Sequence, residues 1–187
     1  MNDQIKNFDS RFKLYLASCY DDFKPFYNLI HFRDGYAYAT EGHILVKAKI
    51  KDISTFEDDE IKKLDNKSIS ANAYRKILEY NIASINNTGV TVTDTQGNRN
   101  DYYFNEQQAI NIKFDDMFAQ LTEHYRQDRN LFGLNPGLIA KAAKILNTKT
   151  LRFQAYNGGK FIITNPQLDH ETDIRCLLMD AYVEEYD

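Results

Sequence analysis

The sequence lacks several features that define common classes of protein. It has no Trp, and its two cysteines, Cys19 and Cys176, lie outside any CxxC or Cys/His motif. A disulfide framework or a zinc site is therefore not expected, and a reducing compartment fits best. No stretch approaches the roughly 20 apolar residues that a membrane span requires. The N-terminal MNDQIKNFDSRFK also has no apolar core of the kind found in secretory signals. The sequence therefore predicts a soluble cytoplasmic protein with no membrane association.

Charge and composition indicate a globular protein that does not bind nucleic acid through its overall charge. Charged residues make up 27% of the chain and hydrophobic residues 43%, and the formal net charge is −4. A local basic strip is still compatible with this balance, because contact with phosphate depends on how the charge is distributed. The 13 Tyr and 12 Phe favour a sheet-rich fold, although an ordinary core explains them as well.

No group of residues has the spacing of a catalytic or metal site. The carboxylates of Asp58–Glu60 and Asp115–Asp116 are of a type used for cation binding or acid–base chemistry, but solvated loop charge is the favoured explanation. Asn157-Gly-Gly159 precedes a predicted strand, which excludes a phosphate-binding loop of the GxxxxGK[ST] type. We expect neither metal nor cofactor, and a protein that binds rather than catalyses; an enzyme of unrecognised type is the alternative. The histidines, none at HExxH or HxH spacing, are His31, His43, His124 and His170.

The first segment of the chain predicts a three-stranded meander. Asp34-Gly35 lies between two runs of aromatic and aliphatic residues, Phe26–Phe32 and Tyr36–Thr40, which is a strong hairpin signal. Glu41-Gly42 supplies a second turn before the apolar run His43–Ile50. This segment shows no clear helix.

The second segment predicts a helix between strands. Lys51–Lys63 is charged and predicts a loop. Ser70-Ala-Asn72 offers cap residues for a helix from Ala73 to about Tyr80. Phe114–His124 is compatible with a short helix or an irregular connector. The predicted strands of this segment are Lys67–Ser70, Val90–Thr93 and Asp101–Phe104.

The third segment repeats the order of the second. Asn135-Pro136 predicts a helix start, because Asn caps helices and Pro is tolerated at the first helical position. An apolar stripe follows from Leu138 to Leu146. The recurring order of strand, helix and meander indicates an α+β fold of antiparallel sheets with short helices. The predicted strands are Thr150–Tyr156, Lys160–Thr164 and Arg175–Met179.

One hairpin resembles a family signature. Ala39-Thr-Glu-Gly-His-Ile-Leu-Val46 is similar to the "ATDGHRLA"-like turn of the bacterial β sliding clamp, the processivity subunit of DNA polymerase III. Leu177-Leu-Met179 resembles the "VVMPM" strand that ends that family's chain. The resemblance implies a DNA-clamp-like fold in a shortened relative. Residues 1–125 would correspond to the clamp's middle domain, and residues 126–187 to the C-terminal half of its last domain.

The resemblance also implies a function. It predicts a clamp-like DNA replication accessory protein, from a phage or mobile element, that associates with duplex DNA and assembles through its sheet edges into a homo-oligomeric ring or partial ring. Helix cations would contact the DNA backbone without reading sequence. A solvated outer helix face is the alternative explanation of those cations. The predicted DNA-contacting residues are Arg75, Lys76, Lys141 and Lys144.

In the clamp family, a hydrophobic groove binds peptides of polymerases and repair proteins. The resemblance places Thr40, Gly42, His43 and Leu45 in that groove, facing Leu177, Met179 and Ala181 from the last strand. We therefore predict that the two stretches meet in a shallow exposed apolar pocket rimmed by His43. Two positions depart from the family, because Ile44 replaces an Arg and Met179-Asp-Ala181 replaces "MPM". With the acidic balance, these departures favour the alternative function, a clamp-fold interaction scaffold that does not encircle DNA.

Overall fold

The computed structural model describes residues 6–105, 113–119, 121, 134–156, 159–168 and 170–179. The described fold is α+β with antiparallel sheets and short helices, as predicted. The strands are β1 (Leu29–Arg33), β2 (Tyr36–Thr40), β3 (Ile44–Lys49), β4 (Lys67–Ser70), β5 (Ile82–Ile85), β6 (Gly89–Thr93), β7 (Arg99–Tyr103), β8 (Arg152–Tyr156), β9 (Lys160–Thr164) and β10 (Ile174–Leu178). The α-helices are α1 (Asp58–Leu64), α2 (Ala71–Ile77), α3 (Phe114–Ala119) and α4 (Pro136–Ile145), and short 3-10 helices cover Leu14–Ala17, Pro25–Asn28 and Ile50–Asp52.

Two meanders join edge to edge in a seven-stranded sheet. The strand order is β4-β1-β2-β3-β10-β9-β8, and each neighbouring pair is antiparallel. The meander β1–β3 and the meander β8–β10 meet through their last strands, β3 and β10. The large sheet therefore takes strands from both predicted units, 1–125 and 126–187. A second sheet has the order β5-β6-β7.

The predicted first meander is confirmed, and its turn explains why it forms. Asp34 and Gly35 both have positive φ, at 50° and 78°. Two such residues in a two-residue loop match the twist of the strands on either side. Glycine adopts this conformation without steric cost, and Asp tolerates it better than most residues.

The two faces of the large sheet are covered differently. On one face lies the main core, to which α2, α4 and the 3-10 helix Leu14–Ala17 contribute buried side chains. On the other face, which we call the α3 face, a smaller cluster contains Tyr38, Leu45, Ile162 and Leu177, with Phe114 of α3 above them. Strand alternation sends successive side chains to opposite faces, so β2, β3, β9 and β10 serve both clusters.

The prediction of a loop at Lys51–Lys63 is wrong, because α1 begins at Asp58 and takes up the second half of this stretch. Ile61 and Leu64 are three residues apart and bury one side of this helix. The side chains of Glu57 and Glu60 form a capping box at its start. Acidic residues in the first turn and lysines in the last also suit the helix dipole, so the charge pattern that suggested a loop in fact stabilises a helix.

The other predicted elements differ mainly at their ends. The predicted helix Ala73–Tyr80 is α2, which begins two residues earlier after Ser70, whose side chain accepts a hydrogen bond from the Ala73 amide. Asn135 caps α4 through the Gly137 amide, as predicted. Strand β5 was not predicted. The end of the predicted element Phe114–His124 and residues 157–158 of the Asn157-Gly-Gly159 stretch lie outside the described residues.

Candidate partner-docking site

The two stretches predicted to meet are neighbours in the large sheet. Leu177 pairs with Leu45 and Leu178 with Ile44 in the antiparallel register of β10 and β3. Beyond these pairs, the Met179 amide donates a hydrogen bond of 2.9 Å to the carbonyl oxygen of His43. Of the predicted contact between Thr40–Leu45 and Leu177–Ala181, the structure therefore shows the part that reaches to Met179, and residues 180–181 lie outside the described residues. We call this place the β3–β10 junction, defined by Thr40, Gly42, His43 and Met179.

The turn before β3 is held in a defined conformation. The buried Thr40 hydroxyl donates to the Ile44 carbonyl at 2.8 Å and accepts from the Gly42 amide at 3.1 Å. Gly42 has a φ of 98°, and a Cβ at this position would stand 3.0 Å from the hydroxyl oxygen of Tyr27. The positive φ favours glycine, and any other residue would also require the Tyr27 side chain to move. The turn therefore presents the exposed His43 side chain on an ordered backbone.

An ion pair connects this turn to α4. Lys141 Nζ lies 2.6 Å from Glu41 Oε2, and the two side chains are only 28% and 14% exposed. Lys141 was predicted to contact DNA, but its ammonium group is engaged with the β2–β3 turn. This geometry fits a structural pair between helix and turn better than a contact with phosphate.

The exposed apolar lining predicted for the groove is wrong at two positions. Leu45 and Leu177 are 0% and 1% exposed, because both point to the α3 face and lie beneath α3. The apolar residues Phe114, Met117, Phe118 and Leu121 follow helical spacing and belong to or pack against this cluster. That spacing was the available sequence signal for a helix covering the two leucines.

The surface that remains open at the junction is small. His43 is exposed, whereas Gly42 and Met179 are half-buried, and Met179 packs against the edge of the cluster under α3. Ala181, the remaining predicted groove residue, lies outside the described residues.

Helix α3 is attached to the sheet by stacking and by a shared carboxylate. The Phe114 ring stacks on Tyr38 with centroids 4.8 Å apart and planes 11° apart. Asp115 Oδ1 accepts hydrogen bonds from the Tyr38 hydroxyl at 2.9 Å and from Lys47 Nζ at 2.6 Å. Lys47 Nζ also lies 4.1 Å from the centroid of the Tyr36 ring, within cation–π range.

These contacts shift the titration of the groups at this attachment. Partial burial acts to raise the pKa of Asp115, but the hydrogen bonds from Lys47 and Tyr38 outweigh it, and the pKa is lowered. Burial raises the pKa of Tyr38, and its hydrogen bond to Asp115 adds to this. Burial lowers the pKa of His31, whose ring lies 5.3 Å from that of Phe114. At neutral pH, Asp115 is thus a carboxylate facing a neutral Tyr38 hydroxyl and a lysine cation.

The other predicted DNA contacts lie on the side of the large sheet opposite α3. Arg75 and Lys76 are exposed on α2, where Lys76 Nζ stands 3.6 Å from Glu79. Lys144 is exposed on α4. Because α2 and α4 both pack into the main core, these three cations lie on the same side of the sheet.

Another cavity lies away from the β3–β10 junction. A polar cavity of about 380 Å³ on the second sheet is lined by residues of β6 and β7, including Arg99, Asp101 and Tyr103, and by none of the predicted site residues. Within the described ranges, no three His, Cys, Asp or Glu side chains are grouped as metal ligands. The described helices also lack the combined length and apolar character that crossing a bilayer requires.

Comparisons of the chain with known protein families, with curated proteins and with solved structures gave no match. The relationship to sliding clamps inferred from Ala39–Val46 therefore stays a prediction.

Proposed function

We propose that this protein acts by binding, as a clamp-like interaction module that holds a partner protein at the β3–β10 junction. The observation that carries the proposal is the hydrogen bond between the Met179 amide and the His43 carbonyl. It brings together two stretches that are far apart in sequence and that resemble the two halves of one peptide groove. Local sequence alone does not require these stretches to meet.

The junction has the parts of a small recognition site. His43 supplies an exposed ring with a hydrogen-bonding nitrogen, and half-buried Met179 supplies a flexible apolar contact. The backbone of Thr40–His43 is ordered by hydrogen bonds, so little conformational entropy would be lost there on binding. A single apolar anchor buried at such a site contributes roughly 1.5–3 kcal/mol. Binding of that strength suits tethering of a partner rather than permanent assembly.

Site-specific photocrosslinking tests the proposal. A photoreactive residue in place of His43 should form a covalent adduct with one recurrent protein in the cells that naturally produce the chain. The same residue in place of Gln96, an exposed position on the β6–β7 turn, is the matched control and should not form that adduct. Met179→Asp should remove the adduct from position 43. Equal adducts from both positions, or an adduct that survives Met179→Asp, would refute docking at the junction.

A second candidate function is association with duplex DNA through the side of the sheet that carries α2 and α4. It is favoured by the exposure of Arg75, Lys76 and Lys144 on that side. Replacing all three with Glu should reduce retention on circular duplex DNA and flatten its salt dependence, because phosphate contacts release counterions. Lys141 is left unchanged in this variant because of its pair with Glu41. Unaltered retention would assign the three cations to an ordinary solvated surface.

A further inference from the structure

The strands of the large sheet carry charge of only one sign. None of the seven strands that the structure describes in this sheet contains Asp or Glu, although the whole chain has a formal net charge of −4. Their cations are also distributed unevenly between the two faces. Lys67 pairs with Phe32 and so belongs to the main-core face. By register with Tyr36, Tyr38 and Ile162, the cations of the α3 face are Arg33, Lys47, Lys49, Arg152, Lys160 and Arg175.

Carboxylates reach this cationic face from outside its strands. Asp115 of α3 binds Lys47, and Asp173, just before β10, lies 2.9 Å from Arg175 Nε and accepts a hydrogen bond from Tyr36. The centre of the face is apolar, since Tyr38, Leu45 and Leu177 are buried beneath α3. The α3 face therefore combines an apolar centre with cations around it.

Helix α3 is complementary to this surface in both respects. Its Phe114 ring covers the apolar centre, and Met117 and Phe118 pack beside it. Its Asp115 pairs with Lys47, and Lys47 Nζ also lies 5.9 Å from the centroid of the Phe118 ring. A short acidic amphipathic helix is thus the ligand that the α3 face already holds.

The attachment of α3 is limited in extent. The helix has six residues, and among them only Phe114 is buried. A helix of this length has little stability of its own, so its structure depends on contact with the sheet. Local opening of such an element requires less free energy than global unfolding.

We propose that α3 is a built-in ligand, and that the α3 face binds a short acidic amphipathic helix of a partner protein in its place. The partner segment would carry an aromatic residue followed by a carboxylate, with apolar residues three and four positions after the aromatic one, as α3 does. This inference rests on the proposed function of holding partner proteins. To that function it adds the chemistry of the partner segment and a second contact surface, the α3 face. This face adjoins the β3–β10 junction, because Met179 of the junction packs against the cluster under α3.

A nucleic acid is the other anionic ligand that such a surface could attract. Cations interleaved with aromatic rings also occur in sites that bind single-stranded nucleic acid. The contacts that α3 makes on this face favour a peptide ligand over a nucleic acid. On this face a phenyl ring stacks on Tyr38 and the adjacent carboxylate binds Lys47 and Tyr38, all within one helical turn.

The test uses the full-length protein and a fluorescent synthetic peptide with the sequence of residues 113–121, measured by fluorescence anisotropy. The protein variant Asp115→Ala weakens the attachment of α3 without removing a buried side chain, because the Asp115 side chain is 51% exposed. It should bind the peptide about three- to fivefold more tightly than the unmodified protein does, because the loss of one half-exposed ion pair shifts the equilibrium only modestly. The matched control is Asp116→Ala, which removes the neighbouring carboxylate on the same helix, one that lies 3.6 Å from Lys113 rather than on the sheet. This control should bind like the unmodified protein.

Two further measurements complete the test. Phe114→Ser should increase peptide binding more than Asp115→Ala does. A thermal melt shows whether Phe114→Ser is folded. If it is unfolded, the inference is judged on the comparison of Asp115→Ala with Asp116→Ala. Adding Lys47→Glu to Asp115→Ala should abolish the gain. No difference between Asp115→Ala and Asp116→Ala overturns the inference. Tighter binding of an oligothymidylate than of the peptide by Asp115→Ala also overturns it, in favour of a nucleic-acid surface.

The outcome is separable from that of the proposed function. A His43 adduct without peptide binding refutes the built-in ligand alone. Peptide binding without a His43 adduct refutes docking at the β3–β10 junction and leaves the α3 face as the contact surface.

Discussion

The Met179 amide donates to the carbonyl oxygen of His43 across the ends of two strands, β3 and β10, that are far apart along the chain. The hydrogen bond joins backbone atoms, so it does not depend on either side chain. The side chains of these two residues are therefore open to substitution without loss of the strand pairing. This separation of backbone from side chain allows the docking proposal to be tested in a folded protein.

Met179→Asp should remove the adduct from position 43 while the protein stays folded. The half-buried side chain contacts the edge of the cluster under α3, so an introduced carboxylate should cost about 1–2 kcal/mol of unfolding free energy. Urea denaturation measures this cost, and Met179→Leu serves as the conservative control that should keep the adduct. Complete unfolding of Met179→Asp would show that the residue serves the core rather than a partner.

Two buried tyrosines should respond oppositely to loss of the hydroxyl group. Tyr74 Oη is buried and, within the described part of the chain, has no hydrogen-bond partner, whereas the Tyr38 hydroxyl donates to Asp115. An unpaired buried hydroxyl costs about 1–3 kcal/mol, so Tyr74→Phe should raise the free energy of unfolding. Tyr38→Phe should lower it by roughly 0.5–1.5 kcal/mol. Urea unfolding of the two variants side by side is the measurement, and a loss of stability in Tyr74→Phe would contradict the prediction.

Lys141→Glu should destabilise the protein, because it places two carboxylates together in a half-buried position beside Glu41. The expected loss is about 1–3 kcal/mol, between the values for exposed and for buried pairs. The double variant Glu41→Lys with Lys141→Glu should recover most of it. Lys144→Glu is the control on the same helix. Because Lys144 is exposed, this substitution should change the free energy of unfolding of the protein little. If Lys141→Glu is as stable as Lys144→Glu, the pair with Glu41 does not stabilise the fold and Lys141 is an ordinary solvated lysine.

Asp115 should make a pH-dependent contribution to stability. Its pKa is lowered in the folded protein by hydrogen bonds from Lys47 and Tyr38, which outweigh the effect of burial. The stabilisation is therefore present above the unfolded pKa of about 3.9 and is lost as the pH falls through the lower folded value. Because the side chain is 51% exposed, solvent screening limits the contribution to less than about 1 kcal/mol. Unfolding free energies of the protein and of Asp115→Asn should differ near neutral pH and converge in acid; a constant difference would rule out this linkage.

Local chemistry was sufficient to predict the first hairpin and the start of α4. Asp34-Gly35 specifies a tight turn through its two positive φ values, and Asn135-Pro136 specifies a helix start through a side-chain cap. Each of these signals acts over a few residues, so no distant contact is needed to read it. Helix α1 has equally local signals in its capping box and in the spacing of Ile61 and Leu64, but its high density of charged residues is just as typical of a solvated loop.

The candidate site depended on relationships that no local signal contains. The pairing of β3 with β10 joins two meanders, and only the resemblance to another family suggested it; the register then places Leu45 beside Leu177. The burial of both leucines requires α3 to lie on that face of the sheet, where the Phe114 ring meets Tyr38. The sequence by itself determined most of the strands, the first turn and the cap of α4, because those preferences arise from neighbouring backbone and side-chain atoms. Only the tertiary structure decided which strand edges pair and which apolar residues α3 covers, because burial and charge pairing depend on residues that are distant along the chain.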